Sequence, residues 1–152
     1  MDIEVEHYDV QPAECDRVRE WLEKLRIIDE RIRVREREIR RLRERRNNLV
    51  KAIGQGGSGG PRKDFSAASD KLIDMEREIS AEIGELRESR QSIVVAIGVL
   101  PERLKLLMEL RYIEGLRFED IAGRMHYGRT TVWDMHTDAL KIIAQMRKCE
   151  HR

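Results

Sequence analysis

Two stretches of this chain repeat apolar residues alternately three and four positions apart, which confines each to a long α-helix with one narrow apolar seam. In the first stretch the seam runs Val18, Trp21, Leu25, Ile28, Ile32, Arg35, Ile39, Leu42, Arg46, Leu49 and Ile53. In the second it runs Phe65, Ala68, Leu72, Met75, Ile79, Glu82, Leu86, Ser89, Ile93, Ala96 and Leu100, with Ile83 and Ile97 widening the stripe. Between them lies GQGGSGGPRK, residues 54–63, whose glycines with Ser58 and Pro61 cannot hold a helix or pack a core. The stretch is not a phosphate-cradling loop, because Gly60 is followed by Pro61 and not by Lys and a hydroxyl residue.

Folding the chain back at residues 54–63 sets the two seams against each other in one antiparallel register, from Ile53 against Phe65 to Val18 against Leu100. The same register puts Arg35 opposite Glu82, so the two charges should meet as a seam pair. If that pair is buried, removing Glu82 alone leaves a guanidinium without a partner and is costly. A second break at Gly98 to Pro101 combines a helix-ending Gly with a Pro suited to a first helical turn. The expected organisation is therefore an acidic lead-in over 1–13, a coiled-coil-like antiparallel helical hairpin over 14–100 and a compact helical module over 101–152, all-α throughout.

Charge confines the choice of partners to local features. Thirty basic against 29 acidic residues give a net charge of +1, so no global field favours nucleic acid or membrane. No apolar run reaches a membrane span, and the first twelve residues lack the basic start and apolar stretch of a signal peptide. Cys15 and Cys149 lie far apart without metal or redox spacing, which suits a reducing compartment, and a cytoplasmic location is expected. Residues 31–46 hold nine Arg and three acids. That stretch could grip phosphates, but the plainer reading is a solvated helix face paired with acids of the second arm.

Beyond Pro101 the apolar pattern shortens into three compact helices. Leu104, Leu107, Met108 and Leu110 form the first stripe, closed by a turn at Glu114-Gly115; Phe118, Ile121, Ala122 and Met125 form the second. Val132, Met135, Ala139, Leu140 and Ile143 are the inward set of the third. His126 falls at the turn between the last two helices, a position that often needs positive φ and where His is among the more tolerant residues. The pattern is that of a helix-turn-helix, whose second helix enters the major groove.

The stretch LPERLKLLMELRYIEGLRFEDIAGRMHYGRTTVWDMHTDALKII, Leu100 to Ile143, resembles the DNA-binding fourth region of bacterial RNA polymerase sigma factors. Its later part, HYGRTTVWDMHTDAL, is similar to small phage and prophage regulators that join an upstream helical portion to a sigma-like helix-turn-helix, late-gene activators among them. The resemblance implies promoter recognition and contact with RNA polymerase. Nothing in the chain resembles the sigma region that melts promoters, so a free-standing sigma factor is not expected. Gly128 stands where the related pattern commonly has a Ser cap, and Asp134 and Asp138 stand where it has basic or neutral polar residues.

On the third helix Arg129, Thr130, Trp133, Asp134 and Thr137 point away from the inward set and are the expected base-contacting residues. Arg117, Thr131 and Lys141 are the expected phosphate contacts. His136 and Tyr127 read as packing residues, and His126, His136 and His151 have no metal-ligand spacing with Cys149. No nucleophile, base and orienter occur together, so the chain reads as a non-enzyme without a cofactor. The expected partners are double-stranded DNA at a promoter or operator, RNA polymerase and further copies of the chain, with no membrane. Two other readings share these features: a phage DNA-packaging adaptor of the small-terminase kind, and a helical scaffold that binds protein only.

Overall fold

The structure is a computed structural model that describes residues 9–55 and 62–150. Most of the acidic lead-in, the centre of the Gly-rich stretch and His151 lie outside the described residues. Five α-helices follow in order: α1 (Pro12–Gln55), α2 (Arg62–Gly98), α3 (Glu102–Met108), α4 (Phe118–Met125) and α5 (Arg129–Glu150), with a π-helical segment, Glu109–Ile113, continuing α3. There is no strand among the described residues, and none of their helices is long and apolar enough to cross a membrane. The protein is all-α, a helical hairpin followed by a compact helical module.

Local chemistry sets the helix ends. Pro12 opens α1 with its φ already helical, and the Gln11 N–H donates to the Glu14 carboxylate at 2.9 Å, half of a capping box. Lys148 donates to the same carboxylate at 2.9 Å, and together these bonds hold the Glu14 carboxyl below its ordinary pKa. At the other end of the arm α1 and α2 each carry on two residues into the 54–63 stretch, through Gln55 and from Arg62. Pro101 caps α3 in extended geometry (φ −54°, ψ 145°) and does not enter its first turn. Gly115 at φ 78° turns the chain toward α4, aided by bonds from Glu114 N–H to the Glu109 carbonyl and from Leu116 N–H to the Leu110 carbonyl, both 3.0 Å.

The described chain forms two compact units. One comprises Ile28–Ser89. Its core is a single seam in which Ile32, Ile39 and Leu42 from α1 meet Leu72, Ile79 and Ile83 from α2, flanked by half-buried Ile28, Leu49, Met75 and Leu86. Ion pairs cross the seam: Arg31 with Glu82 at 3.2 Å, Arg87 with Glu36 at 3.0 Å, and Glu76 with both Arg43 at 2.8 Å and Arg46 at 3.4 Å. Arg35 Nε lies 2.9 Å from Glu82 Oε2, and Arg35 also holds Glu38 at 2.8 Å. The side chains of Arg35 and Glu82 are 35% and 32% exposed, so water reaches the pair and the penalty of a buried charge does not apply.

The other unit joins the described residues up to Ile27 with those from Arg90 onward. Its buried side chains come from every helix: Val18, Leu22 and Leu25; Ile93 and Ile97; Leu107 and Met108; Ile121 and Ala122; and the α5 set Val132, Met135, Ala139, Leu140 and Ile143. Leu22, outside the heptad seam, is fully buried, whereas Trp21 is half-buried with the Arg147 guanidinium 4.0 Å from its ring centre. Here α1 has neighbours besides α2, so its buried face is wider than a two-helix seam.

Candidate nucleic-acid interface

The segment from α4 to α5 has the geometry of a helix-turn-helix. The α4 helix ends at His126 in left-handed conformation (φ 58°, ψ 39°), and the Tyr127 N–H donates to the Ala122 carbonyl at 3.1 Å. His126 is the one non-glycine residue with positive φ among those described. Gly128 precedes α5, and its carbonyl accepts from the Val132 N–H at 3.1 Å. With no Gly128 side chain, the first amides of α5 lack the usual side-chain acceptor.

The start of α5 presents Arg129, Thr130, Thr131, Trp133 and Asp134 on its exposed side, and Thr137 half-exposed one turn further on. The Thr137 hydroxyl donates to the Trp133 carbonyl at 3.1 Å, leaving its oxygen to accept. Arg117 is exposed just before α4. Lys141 stands apart from this group: it is half-buried and close enough to Cys15 of α1 for its charge to act on that thiol. Burial nonetheless dominates and raises the Cys15 pKa. Twelve residues also separate Lys141 from Arg129, which is roughly 18 Å along the helix.

The exposed face rests on an aromatic floor. Trp133 is 51% exposed; its inner side meets Phe118 edge-on at 5.4 Å between ring centroids, and Phe118 meets His136 at 4.9 Å. His136 is buried, and its Nε2 lies 2.7 Å from the Tyr112 hydroxyl. Burial, with the Arg111 and Arg19 charges adding to it, lowers the His136 pKa to about 4, so its imidazole is neutral near pH 7. The tautomer of the neutral ring sets which of the two groups donates in this hydrogen bond, and burial pushes the Tyr112 pKa up to about 12. Arg111 stacks over Phe118 at 4.5 Å and donates to the Leu116 carbonyl at 2.9 Å, tying the loop before α4 to this floor.

One contact escapes any sequence pattern. Arg129 Nη2 lies 2.7 Å from Glu119 Oε1 on α4, although both side chains are mostly exposed. A guanidinium held at one edge keeps other N–H groups to donate elsewhere. The two residues sit on different helices, and no periodicity links them. Among the described residues no group of three or more His, Cys, Asp or Glu is placed to hold a metal ion.

No protein-family profile and no solved structure matches the chain. Over 54 residues, 36% of its length, the chain is similar to RNA polymerase sigma factor FliA: 35% identical to the protein of Yersinia enterocolitica and 37% identical to that of Escherichia coli K12. The matched stretch covers 24% and 23% of those two proteins. The chain thus spans about a quarter of the curated relatives it matches, and its similarity is to a sigma-factor region and not to a whole sigma factor.

Proposed function

We propose that this protein is a sequence-specific DNA-binding transcription regulator that works with RNA polymerase, of the phage or prophage activator kind. The observation that carries this reading is the α4–turn–α5 geometry with a left-handed residue at the turn and a solvent-facing start to α5, joined to the sigma-factor similarity. In this reading α5 enters the major groove, and Arg129, Thr130, Trp133, Asp134 and Thr137 face base edges. Arg129 donates to a guanine and Asp134 accepts from a cytosine amino group. Arg117, Thr131 and Lys141 meet phosphates. The binding module is residues 101–152, supported by the base of the hairpin. With ten basic and eight acidic residues that module is barely basic, so two copies or polymerase supply the remaining affinity.

The test is selection of a bound site, followed by titration of that site and its single-base variants. Arg129→Ala should relax one base preference by about 1–3 kcal/mol, the worth of a bidentate arginine contact to guanine. Lys141→Ala should weaken every sequence alike. An Arg129→Ala protein that keeps every base preference overturns the assignment of α5 as the reading helix.

A further inference from the structure

The nine arginines of residues 31–46 divide into two groups once the ion pairs are in view. Arg31, Arg35, Arg43 and Arg46 are bound by Glu82 and Glu76 across the seam, which accounts for them as part of the hairpin. Arg33, Arg37, Arg41 and Arg45 follow one another at intervals of four along α1. Arg33 and Arg37 are 68% and 48% exposed and share Glu30 at 3.5 and 3.6 Å. Arg41 and Arg45 are exposed and have no ion-pair partner among the described residues; Arg40, beside the row, has none either.

Such a row works against the helix that carries it. Like charges four residues apart repel and lower helix stability, whereas acids at alternate positions would support a helix whose sole task is to form a hairpin. The row is all Arg, the side chain whose planar fork matches phosphate oxygens, and contains no Lys. Successive members rise about 6 Å along the axis, a regular series of cations suited to a regular series of anions. A protein partner would call for an aromatic or aliphatic anchor at the centre of its footprint, and among the described residues of α1 between Arg33 and Arg45 the one exposed large apolar side chain is Val34, 43% exposed.

We infer that the Arg33–Arg37–Arg41–Arg45 row is a second nucleic-acid contact, which binds the phosphate backbone of duplex DNA without reading its sequence. It adds affinity through counterion release and leaves discrimination to other residues. The inference does not depend on α5 reading bases, because it concerns binding to duplex of any sequence.

The experiment titrates the full chain against a random-sequence duplex over a range of salt concentrations. The variant carries Arg41→Gln and Arg45→Gln, two residues whose loss breaks no ion pair in the described structure. A control carries Lys71→Gln and Arg77→Gln on α2, which removes the same net charge from another place. The variant should lose about two charges' worth of salt slope, which reduces the ratio of affinities at 50 and 200 mM salt by about tenfold. The control should keep the parental slope, and Arg41→Lys with Arg45→Lys should keep most of it. Equal slopes for parent and variant, or equal losses in variant and control, overturn the inference. Repeating the titration in an Arg129→Ala background separates the two readings: the row's contribution persists there if it is correct, whether or not α5 reads bases.

Discussion

Residues 28–89 and the unit built from the rest of the described chain are both helical, yet they hold together by different means. In the former, two helices meet along one seam, and no large side chain among the described residues is completely enclosed: the most buried apolar ones keep 5–9% of their surface. In the latter, residues from five helices surround one another, and Leu22, Leu25, Leu107, Ile121, Val132 and Ile143 have no exposed surface. A two-helix seam leaves one side of every core residue near solvent, and the ion pairs of Glu76 and Glu82 along its edge add only modestly to the register that the apolar residues set. A five-helix core fixes itself by packing, and it can also enclose the polar pair Tyr112–His136.

The comparison breaks most visibly under truncation of matched leucines. Leu107→Ala empties a site closed on all sides and should cost about 4 kcal/mol, near the upper part of the range for such changes. Leu72→Ala, at a site 9% exposed on the seam, should cost about 2 kcal/mol, because water and neighbouring side chains relax into the space. Denaturant titration of the two variants checks the order. Equal costs would mean that the hairpin packs as tightly as the five-helix unit, through a partner or otherwise.

Acid sharpens the contrast. The His136 pKa is lowered to about 4 in the folded protein from an unperturbed 6.5, so the unfolded chain binds the proton first. Its contribution is complete above pH 6.5 and is lost as pH falls toward 4, by about 3 kcal/mol in all. His136→Gln, which keeps a hydrogen-bonding group beside the Tyr112 hydroxyl and removes the titration, should flatten that part of the profile. Stability measured from pH 7 to pH 4 decides the matter, and identical slopes for the two proteins would show that His136 is not the group responsible.

The same contrast explains how much could be read in advance. A seam between two helices is a one-dimensional object, and heptad spacing alone supplied its register, down to Arg35 beside Glu82. The inward face of α5 and the left-handed turn at His126 were equally visible, since each depends on residues close in sequence. The widened face of α1 was not: Leu22 is buried because several helices meet there, and a repeat that describes one neighbour cannot register the others. Glu119 with Arg129 and Tyr112 with His136 are single contacts between elements, ten and twenty-four residues apart, without a periodic trace. The exposure of the seam charges was hidden too, because spacing places a residue at an interface without saying how thick that interface is.

The smallest expected effect concerns helix starts, where the two units' shared helix α1 and helix α5 differ. At its start α1 has Pro12 for its first residue and Glu14 reaching back to the Gln11 N–H. At the start of α5 stands Gly128, whose missing side chain leaves the second and third amides of the helix without a side-chain oxygen to donate to. A Cβ built on Gly128 meets nothing within 4 Å, and its φ is not in the left-handed region, so a serine fits without strain. Its hydroxyl would accept from the Thr131 N–H, the third amide of the helix. Gly128→Ser should therefore raise stability by about 0.3 kcal/mol, because glycine already serves passably as a cap. The gain should appear as a small rise in Tm with no change in base preference, since the hydroxyl faces its own backbone. An unchanged or lower Tm would mean that the first amides of α5 already find acceptors in water, and that the bare start of this helix costs the fold nothing.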